Sequence, residues 1–186
     1  FCIFCLRDMS LGIVGGNLDL LLSLAYKFAQ NSQVALLTKR KPYQGVFHKH
    51  PEFSDSQVHS QVKVRFVFSG SQILEFLGNY HTLKLQPRSV FVDLTDCEEK
   101  DLGEVLAMLK NLNNYLEGSV VALVPNWGDL DKRYYFLSRF FEALVEVDKE
   151  IYDYKYENYQ VFLEPSQNSQ VLECYLALSQ LQHFFE

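Results

Sequence analysis

Long apolar runs, excess basic charge and clustered cysteines are all scarce in this sequence. No apolar run approaches the roughly 18 residues that a membrane span needs. The 186 residues carry 17 lysines and arginines against 23 aspartates and glutamates, a formal net charge of −6. Because non-specific nucleic-acid binding requires basic surface to displace counterions, this charge argues against such binding. The 4 cysteines form no disulfide framework, which suits a reducing compartment, and we expect the protein in the cytoplasm.

Motifs of common hydrolases and metal centres are also missing. The sequence has no Gly-x-x-x-x-Gly-Lys-Ser/Thr phosphate loop, no Gly-x-Ser-x-Gly elbow and no His-Glu-x-x-His pair. Cys2 and Cys5 form a Cys-x-x-Cys pair, but no second close pair accompanies it. His48, His50 and His59 lie near one another without a cysteine or carboxylate at ligand spacing. We therefore predict no metal site, and interpret these residues as an apolar terminus and a solvated loop.

The clearest pattern lies between Ser10 and Pro42. An apolar run over 10–14 ends in Gly15-Gly16, an amphipathic run follows over 18–29, and a second apolar run covers 34–37. This is strand, glycine turn, helix and strand in about 30 residues, which is the length of a nucleotide-binding βαβ unit. The pattern therefore predicts a parallel strand crossover that begins the fold.

The rest of the chain continues the alternation of strands and helices. Further strands are predicted over 62–68, 89–94, 119–124 and 159–163. Helices are predicted over 72–80, after a cap at Thr95 or Asp96, over 132–145, and after Ser166. We predict an α/β fold: a doubly wound, mostly parallel Rossmann-like sheet with helices on both faces. We expect residues 1–9 to be an N-terminal extension and 10–186 to be a single domain.

The glycine turn keeps only part of a dinucleotide-binding motif. Whether the motif starts at Gly15 or Gly16, the second and third glycine positions hold asparagine or leucine. Those side chains would crowd a pyrophosphate, and Asp19 adds a carboxylate in the first turn of the helix. The basic run Lys39-Arg40-Lys41 argues the other way, because cations after the second strand suit the 2′-phosphate of NADP. An equally good interpretation of this basic run is a solvated turn that binds no cofactor.

The helix and the basic run together resemble a known family. The pattern Asp19…Ser23-Leu24-Ala25…Arg40…Pro42 is similar to the NADP-binding start of the deazaflavin-dependent NADP oxidoreductases, which include the cytosolic domain of the STEAP metalloreductases. The run from Val92 to Asp96 and the segment Gln160–Leu163 resemble later parts of the same family.

The resemblance implies a cofactor site and a set of residues that form it. Arg40 would recognise the 2′-phosphate of NADP, 69–71 would lie beside the pyrophosphate and the nicotinamide ribose, and Asn126 would lie near the nicotinamide. A flavin would be a second cofactor, and catalysis would rest on cofactor positioning rather than on identifiable catalytic side chains. The predicted cofactor-binding residues are Gly15, Gly16, Asn17, Leu18, Lys39, Arg40, Lys41, Ser69, Gly70, Ser71 and Asn126.

Two functions follow from these observations. The first is a divergent NADP-oxidoreductase-like domain with weakened or lost cofactor binding, which acts as a structural or interaction module of a larger protein or complex. The alternative is a working NADPH-dependent reductase domain, metalloreductase-like, that passes hydride to a flavin. We expect a protein partner or a homo-oligomer, no nucleic acid, and membrane association only through regions outside this chain. The chain would then be the cytosolic domain of a membrane protein.

Overall fold

The computed structural model describes residues 10–15, 18–40, 55–116, 118–125, 130–147 and 159–162. Within these ranges, seven strands form a single sheet. The strands are β1 (Ser10–Val14), β2 (Val34–Thr38), β3 (Val62–Phe66), β4 (Ser89–Asp93), β5 (Val120–Val124), β6 (Ala143–Val147) and β7 (Tyr159–Phe162). The helices are α1 (Leu18–Ala29), α2 (Ser56–Gln61), α3 (Gly70–Gly78), α4 (Glu99–Asn113) and α5 (Leu130–Leu137), with a 3₁₀ turn over Tyr80–Thr82.

The strands lie in the order β3-β2-β4-β5-β1-β6-β7. All neighbouring pairs are parallel except β6 and β7, which are antiparallel. Helices α1 and α2 connect β1 to β2 and β2 to β3, so each of these crossovers leads towards the β3 end of the sheet. Helices α3, α4 and α5 connect β3 to β4, β4 to β5 and β5 to β6, so these crossovers lead towards the β6 end. Because parallel crossovers are right-handed, the two directions place their helices on opposite faces. The predicted doubly wound, mostly parallel α/β sheet is therefore confirmed.

Alternating side chains of the central strands fill two separate cores. Leu11 and Ile13 of β1 pack against α1 in one cluster. In the same cluster, the rings of Phe28 and Phe91 are in contact, with their centroids 5.3 Å apart. Val14 of β1 and the matching residues of β4 and β5 pack against α3 and α4. Strands buried on both faces read as continuous apolar runs, which is why the sequence located them.

Gly12 of β1 is needed for close packing on the second face. A Cβ at this position would lie 2.6 Å from Leu144 Cδ2 and 2.8 Å from Phe141 Cδ2. The glycine therefore lets the chain that follows α5 pack directly on β1. The Glu142 amide continues the contact, since it donates to the backbone oxygen of Ser10 at 3.1 Å.

Three local predictions were wrong. The helix predicted over 132–145 ends at Leu137, and the chain then forms β6 beside β1. The loop predicted over 41–60 contains α2, and His59 on it contacts Tyr26, with Oη to Nδ1 at 2.9 Å. Thr95 and Asp96 do not cap α4, which begins after Glu98 without a side-chain cap. The predicted final helix after Ser166 and the Cys2–Cys5 pair lie outside the described residues.

Candidate functional site at the carboxyl ends of β2 and β4

A cluster of polar side chains lies where β2 and β4 end. These strands are neighbours, and Leu37 of β2 is opposite Val92 of β4, so Thr38 and Asp93 leave the sheet side by side. In open α/β sheets, ligands bind outside the carboxyl ends of the strands, which makes this edge the natural position for a site. Arg40 lies two residues beyond Thr38 and reaches back over the end of β4.

Arg40 and Asp93 form an ion pair. The Nη2 and Nε atoms of Arg40 donate to the same carboxylate oxygen, Asp93 Oδ2, at 2.8 and 3.3 Å. The Asp93 side chain is only 2% exposed, whereas that of Arg40 is 46% exposed. A buried carboxylate is costly unless it is paired and hydrogen-bonded, and Arg40 supplies the charge that Asp93 requires.

Two threonines complete the hydrogen bonding. Thr95 donates to the other oxygen, Asp93 Oδ1, from its amide at 3.1 Å and from its hydroxyl at 2.5 Å. Arg40 Nη2 also donates to Thr95 Oγ1 at 2.9 Å, and the Arg40 amide donates to Thr38 Oγ1 at 3.1 Å. Both oxygens of Asp93 are thus engaged by groups of this chain. We call Thr38, Arg40, Asp93 and Thr95 the Asp93 cluster.

The Asp93 cluster occupies a position that is chemically informative. An aspartate that coordinates Mg²⁺ is part of the phosphate-loop ATPase site, together with the phosphate-loop lysine and hydroxyl. Asp93 ends a buried apolar strand, and the Arg40 guanidinium neutralises it. In the described part of the chain, no group of three or more histidines, cysteines, aspartates or glutamates is placed to hold a metal.

The turn after β1 offers little to a phosphate group. Gly15 has a φ of 85°, a left-handed conformation that favours glycine, so the chain does turn sharply at the end of β1. Residues 15–26 contain no lysine or arginine. Leu18, the first residue of α1, is buried in the core rather than open to a ligand. Gly16 and Asn17 lie outside the described residues.

The other predicted cofactor residues have mainly structural contacts. Ser69 caps α3 by accepting from the Gln72 amide at 3.3 Å, and its hydroxyl lies 2.8 Å from that of Ser71. Gly70 allows α3 to approach α4, because a Cβ there would lie 2.5 Å from Asp101 Cβ. Lys39 is exposed beside Arg40. Lys41 and Asn126 lie outside the described residues.

Strand order spreads these residues along the edge of the sheet. In a Rossmann sheet of order 3-2-1-4-5-6, the first two strands are neighbours. Here β4 and β5 lie between β1 and β2. Three strand spacings separate Gly15 from the end of β2 by about 14 Å, and one more spacing leads to the end of β3, before Ser69. The glycine turn, Arg40 and 69–71 therefore do not form one compact cradle.

The thiol near this edge is unreactive in character. Cys97 follows the Asp93 cluster and is half-buried. Burial, with the nearby carboxylates of Asp101 and Glu98, raises the pKa of the Cys97 thiol to about 11. Because the thiolate is the nucleophile, Cys97 is poorly suited to covalent chemistry.

Sequence reasoning singled out Arg40 but missed its partners. Thr38, Asp93 and Thr95 were not among the predicted site residues, although the run from Val92 to Asp96 was noticed. The available signal was an apolar strand that ends in an aspartate at the same sheet edge as a basic run. This signal could be used only if β2 and β4 were known to be neighbours in the sheet.

Comparisons with known proteins support the fold alone. No family model and no curated protein matches the sequence. Among solved structures, the flagellar accessory protein FlaH from Methanocaldococcus jannaschii has a TM-score of 0.59 at 10% identity, covering 84% of this chain and 79% of that one. The ATP synthase subunit NeqB from Nanoarcheaum equitans has a TM-score of 0.44 at 9% identity, with coverages of 77% and 46%.

These comparisons correct the resemblance drawn from the sequence. FlaH is a flagellar accessory protein and not an NADP oxidoreductase, and the strand order separates β1 from β2. The assignment to the deazaflavin-dependent NADP oxidoreductases and STEAP metalloreductases is therefore wrong, as are both functions built on it. Short residue matches within one βαβ unit caused the error, because such units occur in sheets of different order. NADP and flavin binding stay predictions from the sequence. None of the helices in the described residues combines the length and apolarity needed to cross a bilayer.

Proposed function

We propose that this chain is a non-catalytic domain of ATPase-like fold that works by binding other proteins. The observation that carries the proposal is the ion pair between Arg40 and Asp93, in which a side chain takes the place that a metal ion would need. A buried carboxylate with both oxygens engaged has no free lone pair directed at a bound Mg²⁺.

The turn after β1 supports the same conclusion. Phosphate-loop ATPases place a lysine against the β- and γ-phosphates, and residues 15–26 supply no cation there. Asp19 adds a carboxylate close in sequence to the start of α1. A nucleoside triphosphate would therefore lack the lysine that normally offsets the charge of its phosphates.

The surface supports the protein-binding half of the proposal. Six large apolar side chains in the described residues are exposed, and three of them, Val64, Phe66 and Phe68, follow one another at alternate positions on β3 and just beyond it. Apolar side chains that cluster at one place, rather than being scattered singly, mark interaction sites. FlaH, with which this chain shares a fold, is a flagellar accessory protein.

Isothermal titration calorimetry tests the nucleotide half directly. The chain is titrated with Mg·ATP, Mg·ADP and NADPH, each to millimolar concentration. We expect no saturable heat for Mg·ATP or Mg·ADP, because the phosphate loop is missing and Arg40 engages the Asp93 carboxylate. The matched control is Asp93→Asn, which removes the carboxylate charge and should behave like the native chain. Saturable Mg·ATP binding that Asp93→Asn abolishes would overturn the proposal.

A further inference from the structure

Strand β3 forms one end of the described sheet, and no other described residue bonds to its outer backbone groups. In a parallel ladder, alternate residues of a strand bond to the same neighbour. The Val67 amide donates to the Thr38 oxygen at 3.0 Å, so 63, 65 and 67 point towards β2. Val64 and Phe66 consequently direct their amide and carbonyl groups away from β2, towards the open edge.

One face of this edge is apolar. Val64 is 39% exposed, Phe66 is 44% exposed, and Phe68 just beyond the strand is 64% exposed. Val64 lies opposite Leu36 of β2, which packs against α1, so Val64 and Phe66 extend that face of the sheet to its end. Edge strands are commonly protected by charge or by short length. Within the described ranges, β3 carries no charged side chain on this face, and Val64 and Phe66 remain exposed.

The other face of the edge is basic. Lys63 and Arg65 of β3 are both exposed, and Arg65 lies over the Phe76 ring of α3, 5.6 Å from its centroid. No carboxylate lies within ion-pair distance of either residue among the described parts of the chain. The edge therefore carries two positive charges on one face and apolar side chains on the other.

We propose that β3 binds a β-strand of another protein whose residues alternate between apolar and acidic, so that the strand extends the sheet at this edge. The inference rests on the proposed protein-binding function and names the chemistry of the partner. The apolar residues of that strand cover Val64 and Phe66, and its carboxylates face Lys63 and Arg65. Its backbone bonds to the open amide and carbonyl groups of Val64 and Phe66, as in other sheets extended by a bound strand.

A second copy of this chain does not suit the same edge. Two β3 strands paired about a two-fold axis place the same faces of both sheets together. With Val64 opposite Val64, Lys63 of each copy would lie opposite Arg65 of the other. Like charges directly opposite across a strand pair are destabilising. In this register the basic face disfavours self-pairing, and in any register it favours a strand with acidic residues.

The test uses a fluorescein-labelled peptide that alternates valine with glutamate over the length of β3, and a control peptide with lysine in place of glutamate. Fluorescence anisotropy measures the binding of each peptide to the full chain. We expect saturable binding of the glutamate peptide and at least about tenfold weaker binding of the lysine peptide. Failure of the glutamate peptide to bind the native chain would overturn the inference.

Val64→Pro removes one backbone N–H at the outer edge of β3 and leaves the hydrogen bonds between β3 and β2 in place. Proline is tolerated on an edge strand at such a position. We expect it to weaken glutamate-peptide binding about tenfold, whereas Val64→Thr retains the amide and should retain binding. Leu85→Ala, at an exposed apolar residue that is not part of β3, is the surface control and should not change the binding. Unchanged binding in Val64→Pro would contradict strand addition.

Charge reversal supplies a second measurement that does not depend on the proline variant folding. The double variant Lys63→Glu and Arg65→Glu should bind the lysine peptide in preference to the glutamate peptide. An unchanged preference would contradict the inference, as would a concentration-dependent dimer that Val64→Pro abolishes. Calorimetry with Mg·ATP tests the proposed function independently of the peptide. If the chain binds neither the glutamate peptide nor Mg·ATP, only the assignment of the partner is overturned and the proposed function stands.

Discussion

Arg40 Nη2 lies 2.8 Å from Asp93 Oδ2 at the edge of the sheet where the strands end. The two residues are 53 positions apart, and only the pairing of β2 with β4 brings them together. The ion pair joins the two neighbouring strands and neutralises a buried carboxylate. The same contact therefore contributes to the stability of the sheet and engages one oxygen of the carboxylate.

Arg40→Ala should destabilise the fold by about 2 kcal/mol, because it leaves the Asp93 carboxylate buried without a counter-charge. Lys39→Ala, next to it and exposed, should change stability by less than about 0.5 kcal/mol. Urea unfolding followed by circular dichroism measures both values. Replacing both partners, with Arg40→Met and Asp93→Leu, should recover most of the loss. Equal stabilities for the native chain and Arg40→Ala would contradict this role.

Two glycines provide a matched pair of stability predictions. Gly12→Val should cost about 2 kcal/mol, because the new side chain meets Leu144 and Phe141 in a packed core. Gly103 lies in α4, and no atom is within 4 Å of the position that a Cβ would take there, so Gly103→Ala should stabilise the fold by about 0.5 to 1 kcal/mol. Thermal unfolding compares the two directly. A gain in Gly12→Val would contradict the packing of the chain after α5 on β1.

Tyr80 should make stability fall at alkaline pH. Burial raises the pKa of Tyr80 from 10.0 to about 12, and its hydroxyl donates to the backbone oxygen of Pro87. The unfolded chain loses this proton first, so the contribution is complete below pH 10 and is lost as pH rises towards 12. Tyr80→Phe should flatten the fall in unfolding free energy over that range. An unchanged slope would show that other groups cause it.

Cys97 should react slowly with alkylating reagents. Its pKa of about 11, against an ordinary value of 9.0, lowers the thiolate fraction at pH 8 by about a hundredfold. The measurement uses iodoacetamide and mass spectrometry on a variant in which Cys2, Cys5 and Cys174 are serine. Unfolding in urea should restore the ordinary rate. A native rate equal to that of the unfolded chain would contradict the burial of this thiol.

The sequence predicted the elements of the first crossover closely because their signals are local. β1 matches its apolar run over 10–14, and α1 matches the amphipathic run over 18–29. The strand order could not be predicted from the sequence. Strands β2, β4 and β5 have similar apolar composition, and no local feature indicates which of them are neighbours in the sheet. Short residue matches within the first βαβ unit, which do not depend on strand order, then led to the wrong family.

Residues 132–145 were predicted to be one helix, but they contain the end of α5 and the beginning of β6. The aromatic spacing continues through Phe140 and Phe141, which also fits a helix. The helix nevertheless ends at Leu137, because the following residues pair with β1 and pack on Gly12. Tertiary pairing outweighs local periodicity there. The Asp93 cluster was missed for the same reason, as its members meet only after β2 and β4 pair.

The most direct test is a double-mutant cycle on Arg40 and Asp93, measured with and without Mg·ATP. The four proteins are the native chain, Arg40→Ala, Asp93→Asn and the double variant, and urea unfolding gives the coupling free energy. We expect a coupling of about 2 kcal/mol that is the same at zero and at millimolar Mg·ATP. A coupling that falls when Mg·ATP is added, together with stabilisation of the native chain, would show that a metal nucleotide competes for Asp93 and would contradict a non-catalytic domain.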